Sequence, residues 1–220
     1  MTKLPTPPDP TAPRRMPLSR DRILRAAVRL ADEGDLESVT MRRLGQELGV
    51  EAMSLYRHVA NKDDILDGIA DLVMGDFEVP SRDVDWKTAI RRSAMSAHQI
   101  LLRHLWASSL IESRLYSRPA GLRYLDAMIG VLSAAGLSMP MVMRAIMVLD
   151  SYTYGFTLEE LAWPVDQNAR EAAAAFARGQ SAGDYPNIAA LAEMVTTAPR
   201  DVLVDFEFGL DLIIDGLGRL

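Results

Sequence analysis

Apolar residues recur along this chain at helical rather than strand spacing. Ile23, Ala26, Ala27, Leu30 and Ala31 stand at i, i+3, i+4, i+7 and i+8 behind Ser19, a good N-cap, and so form one stripe of a first helix. Gly34 is expected to end it. Thr40 then caps a short second helix with Met41, Leu44 and Leu48 inward, Gly49 follows as a residue suited to a left-handed C-cap, and the pattern restarts with Leu55 and Val59. Two short helices joined by a tight Gly-containing turn make a helix-turn-helix. Asn61 caps a fourth helix with Ile65, Leu66, Ile69 and Val73 on one side, reaching about Phe77.

The second part of the chain continues in helices. After a break over Pro80 to Asp85, Asp85 caps a helix bearing Trp86, Ile90, Ala94, Ala97, Leu101 and Leu105. A break near Ser117 precedes Pro119, which suits the first turn of a helix carrying Leu122, Leu125, Ile129 and Leu132, stopped by Gly136. Ser138 and Pro140 open a long helix to about Leu161, with Val142, Ile146, Leu149, Tyr152 and Phe156 inward, and Pro164 forbids much continuation. An Ala-rich helical piece over 169–178, a short helix from Asn187 to Thr197, and a last helix with Leu203, Phe206, Leu210, Ile213 and Leu217 complete the pattern. No strand pattern and no internal repeat occur. The chain is predicted to be all-α, with an arm over 1–18, a helix-turn-helix unit over 19–77 whose motif spans about 40–59, and a helical domain over 78–220.

Charge first argues against a nucleic-acid partner, since the 220 residues carry a formal charge of −6. Its distribution reverses that. Residues 14–67 hold ten basic and ten acidic residues, whereas 68–220 hold thirteen basic against nineteen acidic, so the deficit lies in the second domain. With 49% hydrophobic residues the chain can bury a sizeable core. It has no cysteine, which removes disulfides, thiolate metal sites and cysteine nucleophiles. The most apolar run, Met139 to Leu149, contains Arg144 and falls short of the roughly 20 residues a bilayer span needs, and the Pro-rich N-terminus lacks an apolar signal core. No membrane partner and a cytoplasmic location are expected.

The most specific segment is TMRRLGQELGVEAMSLYRHVANKDDIL, Thr40 to Leu66. Its capping Thr40, its LGxxLGV core and turn (Leu44, Gly45, Leu48, Gly49, Val50) and its SLYRHVANK stretch (Ser54 to Lys62) resemble the helix-turn-helix of the TetR family of bacterial transcriptional regulators. The resemblance implies a dimeric repressor, with residues 19–77 binding DNA and residues 78–220 binding an effector and dimerising. It also implies that Thr40, Arg42, Ser54, Tyr56, His58 and Lys62 occupy DNA-contacting positions.

The residues support this independently. With Leu55 inward at 100° per residue, Met53, Ser54 and Arg57 face outward from the third helix, with Tyr56 and His58 on its flanks. A helix end of Ala52, Met53 and Ser54 is slim enough for a major groove, and Ser bonds several base edges. Arg57 reaches a guanine or a phosphate, while Arg42, Arg43, Tyr56, His58 and Lys62 hold phosphates and set register. The blander reading of the Arg22, Arg25 and Arg29 stripe is a solvated helix face.

The second domain is similar to the tetracycline-repressor type through Trp86, the LLxH of Leu101 to His104, and TYGFTLEE over Thr153 to Glu160. It departs where that type chelates a metal: Ile111 stands there, and the chain has only His58, His98 and His104. His98 and His104 are six apart, hence on different sides of one helix. No metal and no cofactor are expected. Trp86, His98, Trp106, Tyr124, Met128, Met147, Tyr152 and Phe156 are candidates to line a pocket for a small, hydrophobic effector, although at helical spacing such residues are more often core. Asp150, a carboxylate inside an apolar stretch, either pairs with an arginine such as Arg123 or selects a cationic effector.

The helices over 140–161 and 200–217 carry more apolar surface than one chain needs and are expected to pair with the same two of a second copy, placing two recognition helices about 34 Å apart on a palindromic operator. A helix-turn-helix regulator answering to a protein partner is the alternative. An all-α enzyme is disfavoured by the absence of GxSxG, P-loop, GxGxxG and HExxH patterns.

Overall fold

The computed structural model describes residues 17–114, 118–162, 171–175, 179, 183–197 and 202–219. Residues 1–16 of the arm therefore lie outside the described residues, as do two aromatic residues of the second unit, Tyr116 and Trp163. The DNA-side unit consists of α1 (Arg20–Gly34), a 3-10 turn (Leu36–Ser38), α2 (Met41–Leu48), α3 (Ala52–Leu55) and α4 (Lys62–Gly75). Three of these begin at side-chain caps: Ser19 accepts from the Arg22 N–H, Thr40 from the Arg43 N–H and Asn61 from the Asp64 N–H. The first helix ends at Gly34, as the sequence suggests, with Asp35 as its C-cap. Gly34 stays helical and Asp35 takes the left-handed backbone (φ 63°), held there because its N–H bonds Ala31 O and its carboxylate accepts from the Glu37 N–H. Ile23, Leu44, Leu55 and Ile65, one from each helix, meet with no exposed surface.

Gly49 is left-handed at φ 66°, as the turn demands. Gly45 is needed for closeness instead: a Cβ there would stand 2.8 Å from the carbonyl oxygen of Val50 and 3.2 Å from the N of Ala52. Because both neighbours are backbone, Gly45→Ala is expected to prise α2 from α3 and lower stability by about 2 kcal/mol, read as a shifted urea midpoint. An unchanged midpoint would show that the turn yields without cost.

The larger unit contains α5 (Trp86–Arg103), α6 (Ala107–Arg114), α7 (Pro119–Ala134), α8 (Met139–Ala162), α9 (Pro186–Thr197) and α10 (Val202–Leu217), and residues 171–175 are also helical. Three inward assignments are corrected. Leu105 is exposed, because α5 stops at Arg103 and a separate helix, α6, starts two residues beyond it. Leu122 is exposed, since α7 turns Ala120, Tyr124, Met128 and Val131 inward, and the aromatic and Met outweigh the leucine stripe. Leu203 is exposed, with Phe206, Leu210 and Ile214 inward on α10. Helix α4 joins the two units, packing on α1 within the DNA-side unit and on α6 and α7 across the junction.

Candidate nucleic-acid interface and effector site

The single turn of α3 presents Met53, 73% exposed, while Leu55 anchors it with no exposed surface. Ala52 and Ser54 are half-buried beside Met53, Tyr56 and Arg57 are exposed, and His58 is half-buried at the end of the following turn. Thr40, Arg42 and Arg43 from α2 and Lys62 from the start of α4 are exposed too. Thr40 Oγ1 caps α2, and Lys62 Nζ lies 3.4 Å from the carbonyl of Leu36. Among the described residues none of Arg42, Arg43, Arg57 and Lys62 has an ion-pair partner, whereas Arg20, Arg25 and Arg29 on α1 pair with Asp64, Asp21 and Glu47. The unit thus neutralises its cations on α1 and leaves them uncompensated beside the exposed end of α3. That is the charge arrangement a phosphate backbone needs.

The junction to the larger unit is polar. Arg20 from α1 forks onto Asp64 of α4 at 2.7 and 2.8 Å, and Arg118 spans Asp64 and Asp67 at 2.9 and 3.2 Å. The Arg20 guanidinium, then the Ala60 N–H and Arg118, hold the Asp64 carboxyl well below the usual range, with burial acting in the opposite sense. Burial alone would raise Asp67, but Arg114 and Arg118 bring it down. Asp71 of α4 accepts from the N–H of Ala120 at 2.7 Å, tying the first turn of α7. On the opposite flank one oxygen of Asp32 accepts from the Trp106 indole at 2.7 Å and contacts His104 Nδ1 at 2.8 Å.

Trp106, a pocket candidate from sequence, is thus placed at this junction. Trp86 is half-buried and lines a separate cleft of about 160 Å³ with Arg82, Val84, Val131, Ala134 and Ala135. Met147 is 63% exposed on the outer side of α8. The structure gathers the other candidates. His98 lies face to face with Phe206 at 4.1 Å and edge-on to Phe156 at 5.8 Å, and Tyr152 stacks on Phe206 at 5.3 Å. Tyr124 and Met128 are buried on α7, and the Tyr124 phenol is 3.0 Å from Ser93 Oγ.

Burial pushes the Asp150 carboxyl up to about 6. No cation among the described residues pairs with it, so Arg123 is not its partner there. Burial likewise pushes His98 down to about 4, leaving its ring neutral at pH 7, so its 3.3 Å approach to Glu160 is not an ion pair there. Ser93, Thr153, Thr157, Glu160 and Phe206 were not among the pocket candidates from sequence. A signal was present on α8 for those it carries: Asp150, Thr153, Thr157 and Glu160 stand at i, i+3, i+7 and i+10, a polar stripe along one face of the helix.

Residues 79–220 match the family description "Tetracyclin repressor-like, C-terminal domain", and residues 23–69 match "Bacterial regulatory proteins, tetR family". The chain belongs to the TetR family. Among its TetR relatives, the HTH-type transcriptional repressor DrrR1 of Streptomyces coeruleorubidus is 32% identical over 91% of this chain and 77% of its own. ActR of Streptomyces coelicolor, solved in complex with actinorhodin, superposes with a TM-score of 0.77 at 28% identity over 92% of this chain and 97% of ActR. BioQ, solved with its double-stranded DNA operator, gives a TM-score of 0.64 at 25% identity over 93% of this chain and 100% of BioQ. As a TetR regulator the chain is a ligand-responsive transcriptional repressor that pairs a helix-turn-helix unit with a helical effector domain. Among the described residues no helix is long and apolar enough to cross a membrane, and no cluster of His, Asp and Glu would hold a metal ion.

Proposed function

We propose that two copies of this chain bind a palindromic operator through Thr40, Arg42, Arg43, Ala52, Met53, Ser54, Tyr56, Arg57, His58 and Lys62, and release it when a small, largely apolar effector occupies the second unit. The observation that carries the DNA assignment is the set of cations without ion-pair partners beside the exposed end of α3. Residues 19–77 form the DNA-binding unit and 78–220 the effector and dimer unit. Met53 and Ser54 are offered to base edges, and Arg42, Arg43, Tyr56 and Lys62 to phosphates. The operator complex of BioQ and the actinorhodin complex of ActR support the two halves of this reading. We read the chain as a cytoplasmic regulator and not as an enzyme, a reading supported by its match to the regulator family over both units.

A Tyr56→Ala, Lys62→Ala double variant is expected to bind the DNA upstream of its own gene about 100-fold more weakly at fixed salt. Its plot of log affinity against log salt should be flatter by about 2, because a dimer then gives up two lysine–phosphate contacts. Wild-type affinity with an unchanged slope would remove the assignment.

A further inference from the structure

Trp86 stands out in the sequence, yet it is not among the rings that gather at Phe206. It opens α5 and lines the cleft of about 160 Å³ whose other walls are Arg82 and Val84, just before α5, and Val131, Ala134 and Ala135 at the end of α7. None of these residues belongs to the DNA-contacting set. Five of the six are apolar, and an apolar cavity of about 150 Å³ takes up benzene, so the cleft has room for one ring.

The sixth carries a charge with no counter-charge against it. Arg82 is exposed, and among the described residues its guanidinium has neither a hydrogen bond nor an ion pair, although acidic residues outnumber basic ones nineteen to thirteen over 68–220. The nearest aspartates in the sequence are engaged elsewhere. Asp83 accepts from the Ser81 hydroxyl, and Asp85 caps α5 by accepting from the Thr88 N–H at 3.1 Å. Lys87, a second cation beside the Trp86 ring, pairs with Asp215 at 2.7 Å. Arg82 is also held in place: its guanidinium lies against the bare backbone of Gly130, where an added Cβ would come within 2.7 Å of Nη2. A glycine at that point lets the cation lie along α7, one turn before Ala134. The cleft thus joins an apolar floor to a positioned fork of N–H donors that no group of the chain occupies.

We propose that the cleft between the start of α5 and the end of α7 is a binding site for a small aromatic carboxylate, its ring against Trp86, Val84 and Val131 and its carboxylate forked by Arg82. The site is separate from the DNA-contacting residues and from the aromatic cluster around Phe206, and it does not depend on the operator reading. A planar guanidinium meets a carboxylate through two parallel N–H···O bonds, which an amide, with one neutral oxygen, cannot match. An ammonium on the same ring meets a like charge at Arg82. The indole and the aliphatic side chains then supply the apolar contact that holds the ring.

The test offers one ring with three head groups to the intact protein, in ligand-observed NMR titrations carried into the millimolar range: phenylacetate, phenylacetamide and phenethylamine. Phenylacetate is expected to bind at least about tenfold tighter than the amide, with the amine weakest. Arg82→Gln should bring phenylacetate down to the affinity of the amide, and Ala134→Phe, which fills the cleft from the last turn of α7, should exclude all three probes. Both positions are exposed, so each variant should keep its melting temperature near wild type. No binding by phenylacetate in the millimolar range, equal affinity for the three probes, tightest binding by the amide or the amine, or a phenylacetate affinity unmoved in either variant would overturn the proposal. The last outcome would place the acid elsewhere on the chain.

Discussion

A protein carrying Phe208→Asp with Leu212→Asp is expected to sediment as a monomer and to bind its operator at least about 10³-fold more weakly than wild type. Both side chains stand on the outer face of α10, 67% and 62% exposed, beside an equally unusual stripe on α8, where Met139, Met143 and Met147 follow one another every fourth residue and are each more than 60% exposed. A row of large apolar groups on two helices is far more than scattered surface leucines require. Packing it against the same row of a second copy removes it from water. At about 2 kcal/mol for each fully covered side chain, the two positions contribute about 8 kcal/mol over both copies.

A two-fold interface also repeats each substitution, so the aspartates face each other's copies across the axis. Because both positions are exposed in the single chain, each protomer should keep its helical circular dichroism. The loss then lies in geometry, one reading helix in place of two at fixed spacing. A double variant that stays dimeric would refute the assignment of α8 and α10 as the mating surface.

Asp64→Asn is expected to lower stability by about 3 kcal/mol and the melting temperature by about 9 °C. This carboxylate takes the Arg20 fork, one arm of Arg118 and the Ala60 N–H together, and an amide can neither balance two guanidiniums nor accept as many bonds. Asp63 supplies the control. Its side chain is 77% exposed and among the described residues pairs with Arg114 alone, so Asp63→Asn should change stability by less than about 0.5 kcal/mol.

The acid dependence follows from the direction of the shift. Asp64 is held below its ordinary value of 3.8, so its contribution is complete above that value and is lost as pH falls through the lower, folded one. The difference in melting temperature between wild type and Asp64→Asn should therefore persist from pH 7 to pH 5 and shrink below about pH 4. A gap that stays constant down to pH 3 would show that Asp64 acts through shape and not through charge.

The DNA-side unit was legible in the sequence almost residue by residue. Its caps are local, Ser19, Thr40 and Asn61 each bonding within three residues, and its left-handed turn needs the glycine that stands at position 49. Local chemistry is what a one-dimensional pattern records. Asp35 escaped because a non-glycine residue adopts the left-handed backbone only where its own side chain stabilises it. The effector unit was legible as helices but less so in their facing. Leu122 and Leu203 have the right spacing and the wrong side, since the choice between neighbouring stripes is made by partners distant in the chain, Phe77 against Tyr124 and Tyr152 against Phe206. Trp106 had no sequence signal at all for its position. Only Asp32, on another helix and exposed in the pattern, explains it.

Asp32 has one more consequence. Beside the packing of α4 on α6 and α7, the DNA-side unit meets the rest of the chain at two polar points, the single oxygen of Asp32 under His104 and Trp106, and the aspartate row of α4 under Arg114, Arg118 and the start of α7. A displacement of one unit against the other therefore breaks charged bonds as well as apolar contacts. The joint between the half that reads DNA and the half that answers the effector is thus written largely in carboxylates, one from α1 and the others from α4.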